Sequence, residues 1–319
     1  MALSGQFVIS LDFELLWGVR DHADKTSYGK NVLGARQAVP QMLALFAQNG
    51  IRATWATVGF LFCETRDELF EMSPPEDRRP RYANPVLSNY SYFPEVGRNE
   101  AEDPYFFAAS LIDKIAQMPG QEVATHTFSH FYALEAGATT DAFAADLEAA
   151  RSVAAQRGIS LHSIVFPRNQ YKKDYLDICR AAGLSAWRGN PSSWAYRATD
   201  GQGQTLARRG LRLIDAYSGI LGAQTYTPEK GEFRNVPASQ FLRPRAGRLA
   251  AAHPAHIATV LRGMTRAAKT GRGYHLWWHP HNFGVNTSEN MAALSEIIAH
   301  FQRLQGEYGM MSSSMGDQI

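Results

Sequence analysis

The sequence predicts an α/β protein with a parallel sheet, in the form of a barrel or of a doubly wound sheet. Two observations predict this fold class. Short β-rich runs alternate with helical patterns that are long enough to carry the chain back to the same end of a sheet. Several of these runs also end in titratable side chains, which is typical of parallel α/β folds because the carboxyl ends of their strands form the pocket.

The first elements follow a strand, helix, strand order. FVISLD, at residues 7–12, is a β-rich run that predicts a buried strand. The pattern at 34–49 predicts a helix, and Gly50 marks its end. RATWATVG, at 52–59, is rich in β-branched and aromatic residues and predicts the second strand.

The same alternation continues through the rest of the chain. The predicted elements are helix 105–117, strand 122–125, helix 141–157, strand 163–166, helix 172–182, the short run 184–187, helix 255–270, strand 274–278 and helix 288–304. The residues from about 64 to 104 lack such a pattern, and we expect them to form a long inserted loop in a single domain that spans 1–319.

Composition and charge narrow the class of protein. With 45% hydrophobic and 19% charged residues, the chain has the composition of a globular protein, and no apolar stretch is long enough to cross a bilayer. The first apolar run has no basic segment before it and is interrupted by Asp12 and Glu14, so we expect no secretory signal and a cytoplasmic location. The two cysteines, Cys63 and Cys179, have no metal-binding spacing. A net charge of +2 argues against nucleic acid as a partner.

Titratable residues cluster at the ends of four predicted strands. In chain order they are Asp12 and Glu14, then His126 and His130, then Arg168, and then His275, His279 and His281. Because the carboxyl ends of parallel strands meet at one face, these side chains are expected to share a pocket.

Two histidines four residues apart can reach one metal ion, either from successive turns of a helix or from a tight loop. A carboxylate would complete a three-ligand site that leaves open positions for water and substrate, as in hydrolytic metal enzymes. Asp12 and Glu14 point to the same side of an extended segment, so one can bind the ion while the other acts as a base. The alternatives are a coincidental histidine pair on a helix surface and a helix-capping role for Asp12.

The four segments, in this order, resemble the motifs of the polysaccharide deacetylase (NodB-homology) family over about residues 7–283. The pattern H[ST]xxH of that family is matched by His126, Thr127 and His130. The resemblance implies a distorted (β/α) barrel of about seven strands. Two features depart from the family pattern, because Phe13 replaces the usual second aspartate and Pro167 precedes the arginine instead of following it.

The resemblance also implies a role for each site residue. Glu14, His126 and His130 would bind a divalent metal, Zn²⁺ with Co²⁺, Fe²⁺ or Ni²⁺ as alternatives. Asp12 would be the catalytic base, and Arg168 would hold it ionised. The catalytic acid would be His279, with His275 and His281 as rivals, and the remaining motif would fall at Asp215 or Trp187. The implied substrate-binding residues are Trp277, Trp278, His281, Tyr132 and Asn169.

By resemblance, the protein would remove the acetyl group of an N-acetylated sugar, in bacterial surface polysaccharide (O-antigen or capsule) synthesis. A cytoplasmic location favours a nucleotide- or lipid-linked precursor as the substrate, and Arg78, Arg79 and Arg81 in the long loop are candidate phosphate ligands. Two alternatives stay open: an amidohydrolase acting on a small non-sugar amide on the same fold, and a non-catalytic carbohydrate-binding protein. The sequence makes no prediction of oligomeric state.

Overall fold

The computed structural model describes residues 4–317 of the chain, and within them nine strands form one sheet. The strands are β1 (Gln6–Phe13), β2 (Ala53–Thr57), β3 (Gln121–Thr125), β4 (Ser163–Ile164), β5 (Ala186–Trp187), β6 (Arg234–Asn235), β7 (Gln240–Phe241), β8 (Gly273–Trp278) and β9 (Met311–Ser313). Their order is β6-β5-β4-β3-β2-β1-β8-β7, with β9 beside the first half of β1, and the strand pairs are parallel.

The sheet curls into a distorted barrel, which confirms the predicted fold class. Its two end strands, β6 and β7, are joined by residues 236–239 alone. Along this connection Ala238 N–H donates to the carbonyl of Gly189, just after β5, and Ser239 N–H donates to His275 in β8. The connection therefore brings the two ends of the sheet together. The resemblance implied about seven strands, whereas the described residues form nine, four of which are only two residues long.

Eight helices surround the sheet in the described residues. They are α1 (Lys25–Gln48), α2 (Arg66–Met72), α3 (Ala109–Gln117), α4 (Thr140–Gln156), α5 (Lys173–Ala181), α6 (Leu206–Ser218), α7 (His253–Thr270) and α8 (Thr287–Tyr308). In the part of the chain that the structure describes, no helix combines the length and the apolar character that a membrane span needs. Helix α1 begins earlier than the sequence pattern predicts because Asp24 caps it, accepting from the N–H groups of Thr26 and Ser27.

Strand β1 lies between β2 and β8 in the sheet and is buried along its whole length. Phe7, Ile9, Leu11 and Phe13 belong to the main hydrophobic core. Because side chains alternate along a strand, Ser10 and Asp12 lie on the other face, inside the barrel. This alternation places a buried carboxylate at the carboxyl end of the central strand.

The long segment before β3 is folded against the barrel as short helical turns. Besides α2 it contains the turns Glu76–Arg78, Pro85–Leu87 and Asn89–Glu95. Tyr90 and Phe93 pack edge-on against Phe60, with ring centroids 5.4 and 5.0 Å away. These aromatic rings are therefore part of the core and offer no open face to a ligand.

Helix α1 and the loop after β8 approach each other at two glycines. A Cβ atom on Gly34 would overlap the carbonyl group of Gly284, which follows the turn Pro280–Phe283. That turn carries His281 and directly follows His279. The spacing between α1 and the end of β8 therefore depends on the absence of a side chain at Gly34.

Gly34→Ala should destabilise the protein by about 1–3 kcal/mol, because the added methyl group forces the two backbones apart. Urea unfolding measures the change. The matched control is Gly210→Ala in α6, where a Cβ meets no atom within 4 Å and the change should be neutral or stabilising by up to about 1 kcal/mol. Equal effects at the two glycines would contradict the proposed close packing.

Candidate active site

Four strand ends bring polar side chains together at the carboxyl-terminal mouth of the barrel. Strand β1 supplies Asp12 and is followed by Glu14, and β3 is followed by His126 and His130. Strand β5 is followed by Arg188 and β8 by His279. The predicted residues of three strands therefore meet as expected, and a fourth strand contributes an arginine that was not singled out from the sequence.

The segment between the two site histidines is a tight loop and not a helix, which settles the alternative left open by the spacing. Thr127 and His130 have positive φ angles of 65° and 59°, a conformation that is costly for residues other than glycine. Asp146 of α4 holds the loop by accepting from the N–H groups of Phe128 and Ser129 at 2.6 and 3.1 Å. The loop aims both imidazoles at the same point.

Glu14, His126 and His130 form a buried cluster that has the geometry of a metal site. The candidate ligand atoms of the three residues lie within 4.8 Å of one another. The nearest oxygen of Glu14 is 3.3 Å from His126 Nε2 and 3.1 Å from His130 Nε2. The glutamate folds back over Gly18, where any Cβ would collide with the carboxylate. The absence of a side chain at Gly18 is therefore a condition for this arrangement.

The hydrogen bonding of His126 fits a cation in this cluster. Its Nδ1 lies 2.8 Å from the carbonyl oxygen of Val165, which can only accept, so Nδ1 carries the proton. In the neutral ring Nε2 then carries no proton, and its lone pair faces the carboxylate of Glu14. Two electron-rich atoms in contact inside a protein need a proton or a cation between them. The donor set of two imidazoles and one carboxylate suits a divalent transition metal.

The electrostatics of the cluster favour the ligand forms of its side chains. Burial by itself would raise the pKa of Glu14, but the charge of His279, together with the adjacent His126 and His130, holds it well below the ordinary value. Burial lowers the pKa of His130. An ionised glutamate and a neutral histidine are the forms that bind metals.

Asp12 is paired with Arg188, and the prediction that Arg168 holds it is wrong. Arg188 Nη1 and Nη2 donate to the two oxygens of Asp12 at 2.6 and 2.8 Å, and the Arg188 side chain is fully buried. Burial raises the pKa of Asp12, but the charge and hydrogen bonds of Arg188, together with the charges of His126 and His279, outweigh this effect, and the net shift is downward. Asp12 is therefore ionised at neutral pH.

Arg168 points out of the barrel because its own backbone turns it away. Arg168 and Asn169 both have positive φ angles, 54° and 52°, after the end of β4. Arg168 then pairs with Asp21 and lies over the Tyr132 ring at 4.3 Å. Asn169 faces inward in its place, and its side-chain oxygen accepts from Arg188 Nη2 at 3.0 Å. A local turn thus decides which strand end supplies the guanidinium.

A chain of hydrogen bonds fixes Arg188 and removes His275 from consideration as the acid. Arg188 donates to Ser10 Oγ at 2.9 Å, and Ser10 Oγ lies 2.8 Å from His275 Nε2. His275 Nδ1 in turn lies 3.0 Å from the carbonyl oxygen of Val236. Both nitrogens of His275 are therefore engaged, and burial lowers its pKa to about 3. His275 is a neutral structural group inside the barrel.

His279 is the histidine that faces both carboxylates. Its Nε2 lies 3.4 Å from Glu14 and 3.9 Å from Asp12, and Asn282 contacts its Nδ1 at 3.4 Å. The His279 side chain is 23% exposed, whereas the other groups of the cluster are almost fully buried. A ligand would therefore reach the cluster from the side of His279.

His281 is buried beneath His279, with the two rings stacked 5.0 Å apart. Burial, followed by the charge of His279, lowers the pKa of His281 to about 3. His281 therefore supports the His279 ring from below and is not exposed to a substrate.

The other sequence candidates divide between the cavity and the core. Trp277 and Asn169 line a cavity of about 690 Å³ beside His279, and Trp277 covers the guanidinium of Arg188 at 4.2 Å. Trp278 was wrongly expected to meet substrate, because the alternation of β8 turns it into the core against Phe283. Tyr132 is also buried, and its N–H donates to Tyr82 Oη at 2.8 Å.

Neither candidate for the remaining family motif reaches the cluster. Asp215 accepts from Tyr196 Oη and from the N–H of Leu221, both at 2.8 Å. Trp187 packs against Tyr171, with ring centroids 4.6 Å apart. The residue that could have been predicted is Arg188, which pairs with Asp12 and directly follows the predicted run 184–187.

Comparisons with known proteins identify the fold. The sequence matches no protein-family profile and no curated protein. A solved structure from Mycobacterium smegmatis, assigned as a polysaccharide deacetylase, is 13% identical, with 99% of this chain and 88% of that chain covered and a TM-score of 0.61. One from Pseudomonas aeruginosa, with the same assignment, is 9% identical, with 98% and 87% covered and a TM-score of 0.53. An allantoinase structure is also 9% identical, with 97% and 86% covered and a TM-score of 0.53.

Replacing Arg188 should cost far more stability than replacing Arg168. Arg188→Gln leaves the carboxylate of Asp12 buried without its partner, at an expected cost of about 3–5 kcal/mol. Arg168→Gln breaks a partly exposed pair and should cost about 1 kcal/mol or less. The two variants are compared by urea unfolding at neutral pH. Similar losses would show that the Asp12–Arg188 pair is not the stronger one.

The loop anchor Asp146 should give the protein a distinctive pH dependence. Burial raises its pKa to about 6, above the ordinary 3.8, so the folded state holds a proton that the unfolded state releases in this interval. Stability from this group is therefore fully present below about pH 4 and is lost as pH rises to about 6, by up to roughly 3 kcal/mol. The free energy of unfolding of the wild type minus that of Asp146→Asn, measured by urea unfolding, should decrease as pH rises from about 4 to about 6. A gap independent of pH would refute the assignment.

Proposed function

We propose that the protein is a divergent polysaccharide deacetylase, a metal-dependent hydrolase that removes the acetyl group from an N-acetylated sugar. The observation that carries the proposal is the buried Glu14–His126–His130 cluster, with the carboxylate of Asp12 and the imidazole of His279 beside it at a cavity mouth. The fold shared with the two polysaccharide deacetylase structures supports the choice of reaction.

The ligand cluster defines what a metal would contribute. When bound by Glu14, His126 and His130, a divalent ion supplies a Lewis acid that polarises the acetyl carbonyl and acidifies a water molecule. Nitrogen and oxygen ligands of this kind accept Zn²⁺, with Co²⁺, Fe²⁺ or Ni²⁺ as alternatives.

Asp12 and His279 divide the proton transfers of the hydrolysis between them. Asp12, held ionised and in one orientation by Arg188, accepts a proton from the attacking water as its oxygen bonds to the acetyl carbon. His279 Nε2 gives a proton to the sugar nitrogen as the carbon–nitrogen bond breaks, and acetate and the free amine leave. His279 lies at the exposed side of the cluster, where the sugar would sit against Trp277.

The proposed biological setting is the synthesis of a bacterial surface polysaccharide, O-antigen or capsule. The substrate would be a sugar precursor rather than a finished polymer. A cytoplasmic location is part of the same proposal.

A second candidate function is hydrolysis of a small non-sugar amide. The allantoinase structure, which matches as well as one of the deacetylases, favours it. The two functions are separated by substrate, since a ureide releases no acetate.

Acetate release from N-acetylated sugars should require both metal and the histidine cluster. We expect His126→Ala to lose bound metal and activity together, because it removes one ligand. Asp12→Asn should keep the metal but lose roughly 100-fold or more in kcat, because the base is gone while the ligands remain. Elemental analysis and an acetate assay, with and without a chelator, measure these effects.

The matched control for this experiment is His162→Ala, which removes an exposed histidine outside the cluster and should leave metal content and rate unchanged. Full activity in Asp12→Asn would overturn the role of that residue. A protein that releases no acetate at any metal loading, but hydrolyses a ureide, would establish the second function instead.

A further inference from the structure

The arginines are the charged side chains that line the cavity beside His279 in the part of the chain that the structure describes. Its lining includes the five arginines Arg168, Arg197, Arg209, Arg212 and Arg243. No aspartate or glutamate is among the described residues that line it. Such a concentration contrasts with the net charge of the whole chain, which is only +2.

Within residues 4–317, four of these arginines have no carboxylate partner. Arg168 pairs with Asp21, but among the described residues no carboxylate oxygen lies within 4.0 Å of a guanidinium nitrogen of the other four. Burial lowers the pKa of Arg212, and the nearby charges of Arg208, Arg209 and Arg243 lower it further. Like charges held together are unfavourable in the empty cavity, and an anion would relieve this repulsion.

Before any ligand binds, the Arg212 guanidinium is held in place and the Arg243 guanidinium has an unused donor. Arg212 donates to the carbonyl oxygen of Ala195 at 3.1 Å and to Gln204 Oε1 at 2.6 Å. The backbone N–H of Arg243 donates to His256 Nε2 at 3.0 Å, while its buried Nε has no hydrogen-bond partner. A positioned guanidinium close to one with an unused donor is suited to binding an anion, because part of the ordering is already done.

We propose that this arginine cavity binds a diphosphate group of the substrate. The inference rests on the proposed function, and it places the diphosphate among the arginines of the same cavity in which the sugar lies against Trp277. A single carboxylate would balance only one of the four unpaired charges, whereas a diphosphate diester carries two and offers several acceptor oxygens. The shared chemistry covers sugars linked through a diphosphate to a nucleoside or to a lipid.

This assignment replaces the arginines suggested by the sequence. Arg78 lies on the surface 3.9 Å from Glu148, and Arg79 lies over the Tyr90 ring at 4.6 Å. Neither these two residues nor Arg81 lines the cavity. They therefore serve as a control group of equal charge.

The decisive experiment measures the binding of inorganic pyrophosphate by calorimetry to protein kept metal-free with a chelator. The triple variant Arg209→Gln, Arg212→Gln, Arg243→Gln should bind at least about 100-fold more weakly than wild type, because three charge-assisted contacts are lost. The control variant Arg78→Gln, Arg79→Gln, Arg81→Gln should bind like wild type. Absence of wild-type binding, or equal weakening in both variants, would overturn the proposal.

A kinetic arm separates this inference from the proposed function and identifies the source of the diphosphate. Acetate release is compared for N-acetylglucosamine, its UDP-linked form and its farnesyl-diphosphate-linked form. The triple variant should raise KM for whichever linked form is used and leave the free sugar unaffected. Arginine-dependent pyrophosphate binding without acetate release from any sugar would refute the deacetylase and keep the anion site. Acetate release combined with pyrophosphate binding that does not depend on the arginines would support the deacetylase and refute the anion site.

Discussion

The ion pair between Asp12 and Arg188 in the barrel interior is the interaction on which the site depends. A carboxylate placed there without a partner would lose its hydration and take up a proton. The two parallel hydrogen bonds from Arg188 prevent this, and the remaining donors of the arginine reach Ser10 and Asn169. One guanidinium thus ties β1 to the carboxyl ends of β4 and β5, which do not pair with β1 in the sheet, and keeps the carboxylate charged.

Around this pair the barrel mouth separates into two regions of opposite character. On one side, the acceptor atoms of Glu14 and two imidazoles lie close together, an arrangement that a bound cation would stabilise. On the other side, the arginines of the cavity lie close together, an arrangement that a bound anion would stabilise. His279 lies between the regions, in contact with the carboxylates and open to the cavity. A molecule that satisfies both regions must carry a hydrolysable group and a negative charge within a short distance of each other.

Much of this arrangement was predictable from the sequence, and the errors have physical causes. The rule that parallel strands present their carboxyl ends at one face correctly grouped Asp12, Glu14, His126, His130 and His279. The same rule could not say which way a side chain leaves a turn, and the positive φ angles at Arg168 and Asn169 turn Arg168 outward and keep Asn169 beside Arg188.

Side-chain alternation in β8 separated Trp277 from Trp278, and only the register of the strand shows which one faces the cavity. Strands β6 and β7 are too short for any periodic pattern, so the closure of the barrel could not be predicted from the sequence.

The connection that makes this closure, residues 236–239, continues into β7. Together they contribute Ala238, Ser239, Gln240 and Phe241 to the cavity wall. Opening this seam would dismantle the wall, so any ligand that fills the cavity must also strengthen the seam by linkage. The join between the two ends of the sheet is thereby coupled to ligand binding, and local opening at this join is expected to be more frequent in the protein without ligand.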